Sequence, residues 1–381
     1  MSEVQQPDDV KVEEVVKKEK PKSPVVCVGL DVGTMHLVCA KSNDDEVKIT
    51  RNVFLPIDRD EVALTNLSNI SYVEGPEGDL FIIGSDAFNF ANLFGQEVSR
   101  PMEKGLISSS EDDAIDILTL MIKDLIGETK NTEVYCCYSV PAEAIDDERS
   151  VIYHEKVFAR ILGSLGVNHT SVNEAMAIIY SECAKEGFSG IGISFGAGMA
   201  NVAVAYKGIE AHKFSTARAG DWIDRYAAKD SGMVANRVTS VKEKYMQLHG
   251  EVNIKNKKTK RVLEALFHYH KALIDYTIKK IIKEFDDKVD VEVDEPIPIV
   301  VSGGTSMPEG FVNLFKNIIT TYELPFEVSE IRRAKNPLTA VANGLLVRTM
   351  ADVKELNRRS YEQGIFTIIY IYLRFFTRFI G

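Results

Sequence analysis

The chain has 381 residues, 45% of them apolar, enough for about two or three domains with buried cores, which excludes a chain disordered throughout. Its net charge of −11 argues against a sequence-independent nucleic-acid binder, which needs a basic stripe to displace counterions from phosphates, so no direct nucleic-acid partner is expected. The five cysteines, Cys27, Cys39, Cys136, Cys137 and Cys183, are odd in number, sit mostly in apolar runs and lack paired metal-ligand spacing. That is the pattern of reduced thiols in a cytosolic protein.

Residues 1–24 are rich in Glu, Lys, Asp and Pro and carry no apolar core of a secretory signal, so a disordered arm is expected there. Val25 to Leu30 is a continuous apolar run, the mark of a strand buried on both faces. It ends in Asp31-Val32-Gly33-Thr34, and a second run, Leu37 to Ala40, follows. Strand, tight turn, strand is the reading. The spacing then predicts a helix over 114–126, a buried strand over 134–140, and helices over about 146–165 and 174–185. From Gly190 the glycine-bearing hairpin recurs: Ile191 to Phe195, Gly196-Ala197-Gly198, then Val202 to Tyr206. The basic cluster of Lys255, Lys257, Lys258, Lys260 and Arg261 reads as a solvated turn. A long amphipathic helix over 260–285, a strand over 297–301, a Gly303-Gly304 turn and a helix from Pro308 complete the alternation, which means α/β layers. The last segment, Ile365 to Ile380, is Phe, Ile, Tyr and Leu throughout, broken by Thr367, Arg374, Thr377 and Arg378. It is short for a transmembrane span.

A polyphosphate site needs backbone N–H donors that approach closely, hence glycine, and a carboxylate for a hydrated metal. Asp31, Gly33 and Thr34 offer that set at one hairpin tip, and Gly196, Ala197 and Gly198 stand at the other. Two such tips facing each other would clamp phosphates. Ser302-Gly303-Gly304-Thr305-Ser306 follows a strand, where glycines let backbone lie flat against a ring. Pro337 to Gly344 places small residues, Ala340 and Gly344, where close packing on another helix could form a hinge.

The order and spacing of these elements, over residues 25–350, resembles the superfamily of actin, heat-shock chaperones and sugar kinases, nearest to the bacterial actins of the MreB and MamK type. Gly29-Leu30-Asp31-Val32-Gly33-Thr34 looks like the first phosphate loop, and Arg100-Pro101-Met102-Glu103-Lys104-Gly105-Leu106-Ile107 is similar to an MreB and MamK stretch. Val140-Pro141 with Glu148-Arg149 resembles the strand and catalytic helix. Asn173-Glu174-Ala175-Met176-Ala177 resembles the first connecting helix, with Ala175 where proline is usual. Gly220-Asp221-Trp222-Ile223-Asp224 is similar to the Gly-Asp segment after the second loop. The resemblance implies an α/β fold of two related actin-like, ribonuclease H-like domains with a nucleotide cleft between them. Its boundaries would be a domain over 25–172 with a small subdomain near 52–99, a second over 173–335 with a small subdomain near 222–287, a return over 336–362 and an apolar tail over 363–381.

Carried over residue by residue, Asp31 would hold Mg2+ through water and serve catalysis with Glu148, which would orient the attacking water. Gly33, Thr34 and Met35 would contact the phosphates from one side, Gly196, Ala197 and Gly198 from the other, Gly303, Gly304 and Thr305 the adenosine, and Gly220 and Asp221 would also bind the nucleotide. The function implied is a cytoplasmic ATP hydrolase that self-associates into cytoskeletal filaments. Ser194 stands where the second loop normally opens with an aspartate, and Met199 and Ala200 stand where hydroxyls are usual, which puts turnover in doubt and leaves open an FtsA-like, membrane-associated ATP-binding adaptor. The stretch Asn236 to Tyr245 departs from the family and receives no contact. A chaperone would need a substrate-binding region that the residues after Gly344 are too few to supply, and a sugar kinase a base that is not identified. The tail is expected to lie on an anionic membrane surface at the inner face, with packing on the core as the alternative.

Overall fold

The computed structural model describes residues 23–57, 70–75, 78–249, 254–288 and 295–379, with side chains through residue 359. Residues 1–22 of the expected arm lie outside them. The chain opens with β1 (Val25–Val32), β2 (His36–Lys41) and β3 (Asp44–Arg51), then β4 (Phe54–Ile57), β5 (Tyr72–Glu74), β6 (Leu80–Ile83), α1 (Gly84–Phe94), and the short pair β7 (Met102–Glu103) and β8 (Leu106–Ile107). Next come α2 (Ala114–Ile126), β9 (Glu133–Val140), α3 (Ile152–Ser164), β10 (Asn168–Asn173) and α4 (Glu174–Glu182). The second half holds β11 (Gly190–Phe195), β12 (Ala200–Tyr206), β13 (Ile209–Thr216), α5 (Gly220–Ser231), α6 (Ala235–Tyr245), α7 (Lys257–Lys288), β14 (Ile297–Ser302), α8 (Phe311–Ile319), β15 (Val328–Arg333) and α9 (Ala340–Phe379).

Two sheets share one plan. The first runs β3-β2-β1-β9-β10 and the second β13-β12-β11-β14-β15. In each, a three-stranded antiparallel meander is extended by two parallel strands. β11 and β14 are buried at every position, in line with sequences that are apolar but for Ser194 and Ser302. Each sheet has its own core. Leu30, Ile117, Phe158 and neighbours fill one, and Ile193, Phe195, Leu266 and Phe315 belong to the other.

A third cluster joins the halves, where Met176, Ile178 and Ile179 of α4 meet Val341 and Leu345 of α9. The crossing is tight because glycine permits it: a Cβ on Gly344 would stand 1.8 Å from the Ala177 carbonyl oxygen, and one on Gly29 2.1 Å from that of Ala342. The close packing expected at Gly344 is thus backbone against backbone.

Two element boundaries differ from the sequence reading. The helix expected from about residue 146 begins only at Ile152. Upstream, Asp147 Oδ1 accepts the Arg149 backbone N–H at 3.0 Å and its Nε at 2.9 Å, a local turn that competes with helix. The segments expected as separate, 336–362 and 363–381, are joined by one helix, Ala340–Phe379. Among the described residues no helix is long and apolar enough to cross a membrane.

Candidate functional site

The two glycine hairpins are built alike. Gly33 N–H donates to the His36 carbonyl at 3.0 Å, and Gly196 N–H to that of Met199 at 3.1 Å. A Cβ on either glycine would approach the same carbonyl, at 2.7 and 2.9 Å respectively. The tips come together: a Cβ on Gly198 would lie 2.3 Å from Thr34 Oγ1 and 2.2 Å from Gly105 N. Gly105 N–H donates to Thr34 Oγ1 at 3.0 Å, so the Thr34 hydroxyl keeps its own proton free to donate. Asn52 braces the first tip from behind, with its Nδ2 donating to the Gly33 carbonyl at 3.0 Å and its N–H to that of Met35 at 2.8 Å.

A cavity of about 490 Å3 opens between the hairpins, within the size range of small-molecule sites. At the end between the hairpin tips it is lined by Asp31, Gly33, Thr34, Met35 and the second tip, Gly196, Ala197 and Gly198. Gly303, Gly304 and Thr305 also line the cavity, packed against the second hairpin. Gly303 has φ 88, and a Cβ there would strike the Phe195 carbonyl at 2.3 Å, which makes glycine obligatory. Thr305 Oγ1 and Gly220 N–H both donate to the Gly196 carbonyl, at 2.8 and 3.0 Å. Gly220 therefore supports the second tip, while Asp221 lines the cavity and is paired with the half-buried Arg100 at 2.8 Å.

Two carboxylates enter this end. Asp31 Oδ1 accepts from Ser139 Oγ at 2.9 Å, and burial pushes its carboxyl up to about 6. Glu174, first residue of α4, accepts from Asn201 Nδ2 at 3.1 Å. Burial and then the Asp31 charge push Glu174 up to about 8, against hydrogen bonds from Ser194 and Asn201. Half-buried carboxylates perturbed this strongly on one cavity wall are what a site handling a cation or a proton presents.

Glu148 is placed elsewhere. It lies exposed in the irregular segment before α3 and is not among the residues lining the cavity. Glu174, not Glu148, is the glutamate that lines this end of the cavity. Its signal was faint: an acidic residue directly after an N-cap asparagine, with Asn173 Oδ1 accepting from Ala175 N–H at 2.9 Å, satisfies ordinary helix rules. Helix α6, left without a contact, also contributes Thr239, Lys242 and Glu243 to the cavity. Lys242 pairs with the buried Asp224 at 2.8 Å, and Glu243 with Arg51 at 2.6 Å, which ties α6 to the first half of the molecule.

The sequence profile of the volactin family matches residues 26–349. No curated protein sequence matches the chain. Among solved structures, the MamK double helical filament superposes with a TM-score of 0.64 at 18% identity, covering 84% of this chain and 98% of that one. MreB5 of Spiroplasma citri bound to ADP gives 0.61 at 14% identity over 88% and 99%. A non-polymerising MamK mutant bound to AMPPNP gives 0.55 at 17% identity over 86% and 99%. At such identities the likeness shows the fold, that of a two-domain actin-like ATPase of the MreB and MamK kind. With a profile match across both sheets and the joint between them, the chain belongs to the volactin family.

Proposed function

We propose that this chain binds ATP with Mg2+ in the cleft, assembles head to tail into filaments in the nucleotide-bound form, and weakens those filaments by slow hydrolysis. The observation that carries the reading is the meeting of two glycine hairpins of matching hydrogen bonding over one cavity that two half-buried carboxylates also line. The donor set suits the cation. Among the described residues no group of three or more His, Cys, Asp or Glu could cage a metal, while Asp31 offers a hard oxygen donor at the cavity wall. Mg2+ characteristically takes one or two carboxylates and completes its shell with water and phosphate oxygens. When bound, it would neutralise phosphate charge. Solved relatives bound to ADP and to AMPPNP support a nucleotide, and the MamK filament supports self-association.

Within this reading the backbone N–H groups of both tips and the Thr34 hydroxyl hold phosphate oxygens. Glu174 is the group that accepts hydrogen bonds from the attacking water, a role a positioned carboxylate fills. Head-to-tail contacts generate open filaments without symmetry. Calorimetric titration with Mg-ATP, and electron microscopy with and without ATP, test the two halves of the proposal. Saturable binding and ATP-dependent filaments are expected, and absence of binding would overturn the reading.

The tail adds a membrane surface to this proposal. Helix α9 runs on to Phe379 past an exposed polar stretch around Asp352, Glu355 and Arg359. Residues 363–381 carry two arginines, Arg374 and Arg378, and no acidic residue in a chain of net charge −11, a local complement to anionic lipid. The uncharged run between Glu362 and Arg374 would span only about 16 Å as helix, against the ~30 Å of a bilayer core. A helix lying in the headgroup region is the consistent arrangement, and it would place the filament peripherally on the inner face.

A further inference from the structure

Asn201 is completely buried and both ends of its amide are engaged. Its Oδ1 accepts the Ala142 backbone N–H at 2.9 Å, and its Nδ2 donates to Glu174 Oε2 at 3.1 Å. The first bond determines the second. A backbone N–H can only donate, so it holds the amide oxygen toward Ala142 and aims the NH2 at the carboxylate. Turned over, the amide would set its oxygen against Glu174 and its NH2 against the Ala142 N–H, losing both bonds.

The three partners come from different parts of the molecule. Asn201 is on β12 of the second sheet, Ala142 follows β9 of the first, and Glu174 opens the joint helix α4. The Ala142 segment is held in place by strand-like contacts to the end of β13. Ser215 N–H donates to the Glu143 carbonyl at 3.1 Å, Ile145 N–H to the Ser215 carbonyl at 2.9 Å, and Ser215 Oγ to the Ala142 carbonyl at 2.8 Å. These bonds tie the segment after β9 of the first sheet to the end of β13 of the second.

We infer that Asn201 is a positioning residue for Glu174, oriented by Ala142 only when the two halves are closed on each other, so that the hydrolytic carboxylate is aimed by closure itself. The inference rests on the hydrolytic reading of Glu174 given above. An open cleft removes the Ala142 N–H, frees the amide to rotate, and leaves Glu174 without its fixed donor. Binding of nucleotide phosphates, which uses the hairpin tips, does not involve this amide.

The test is a double-mutant cycle read in nucleotide affinity and single-turnover hydrolysis. Asn201→Leu, close in volume, is expected to lower hydrolysis roughly 10²-fold while Mg-ATP affinity stays within about threefold. In a Glu174→Gln background the same change is expected to cost nothing further, because the group it positions is gone. Asn201→Asp keeps the acceptor for Ala142 but loses the donor, and serves as the second variant where leucine disturbs folding. Equal losses in affinity and turnover, or an Asn201 effect that persists undiminished in Glu174→Gln, would show a merely structural role and overturn the inference. If Glu174→Gln alone leaves hydrolysis unchanged, the reading of Glu174 fails. If Glu174→Gln is slow but both Asn201 variants turn over normally, only the positioning role fails.

Discussion

Asp31 and Glu174 line one cavity from different elements of the fold: one stands at the end of β1, the other opens α4, and desolvation first, with the Asp31 charge second, pushes the Glu174 carboxyl up to about 8. A carboxyl raised in the folded state from 4.5 to about 8 binds a proton there that the unfolded chain has released. Its contribution to stability is therefore full at pH 4 and is lost as pH rises through 8. Nucleotide-free protein in EDTA should be stabilised by Glu174→Gln at pH 8.5, by about 1 kcal/mol or more, and little at pH 5. Urea unfolding at the two pH values measures this, and equal effects at both would refute it.

The two glutamates separate cleanly in kinetics. Glu174→Gln should slow hydrolysis roughly 10²-fold with nucleotide affinity retained, while Glu148→Ala should stay within about threefold of wild type. Phosphate release under single-turnover conditions distinguishes them, and the reverse ranking would restore Glu148 to the site.

Ser194 lines the same end of the cavity and is nearly fully buried. Ser194→Asp would place a third carboxylate beside Asp31 and Glu174, and like charges confined without solvent repel. The variant should melt earlier than wild type in EDTA and recover most of the loss in Mg2+. A melting temperature insensitive to Mg2+ would count against a cation between these groups.

The α4–α9 crossing predicts a contrast between two glycines. At Gly344 an added methyl would meet the Ala177 carbonyl at 1.8 Å, so Gly344→Ala should force the helices apart and cost about 3 kcal/mol or more. At Gly163, inside α3, the nearest atom is His169 Cε1 at 3.8 Å. Gly163→Ala should be neutral or stabilise by up to about 1 kcal/mol through helix propensity. Denaturant melts of both variants check the pair.

For the tail, co-sedimentation with vesicles containing phosphatidylserine should pellet the full chain and leave a chain truncated after Gln363 in solution. Neutral phosphatidylcholine vesicles should retain less of the full chain, since the arginines then lose their partners. Equal pelleting of both chains would place the tail on the protein rather than on lipid.

Local chemistry alone determined much of this protein. The unbroken apolar runs of β1, β11 and β14, the glycines at both hairpin tips and at Gly303, and the periodicity of α2 and α7 each follow from contacts within a few residues. The family order of motifs pointed to the cleft for the same reason. What only the tertiary structure decided is which charged residues face that cleft. Glu148 and Glu174 lie 26 positions apart and both stand near a helix start, so no local rule separates them. Their difference arises because α4 is wedged between the sheets at the joint, which buries Glu174 beside Asp31, whereas the Asp147 turn holds the segment before α3 on the surface. Likewise Lys242 and Glu243 read as an ordinary charged stretch until Asp224 and Arg51, distant in sequence, supply their partners. Burial and charge pairing are properties of the assembled fold, and electrostatic roles become assignable only once it is known.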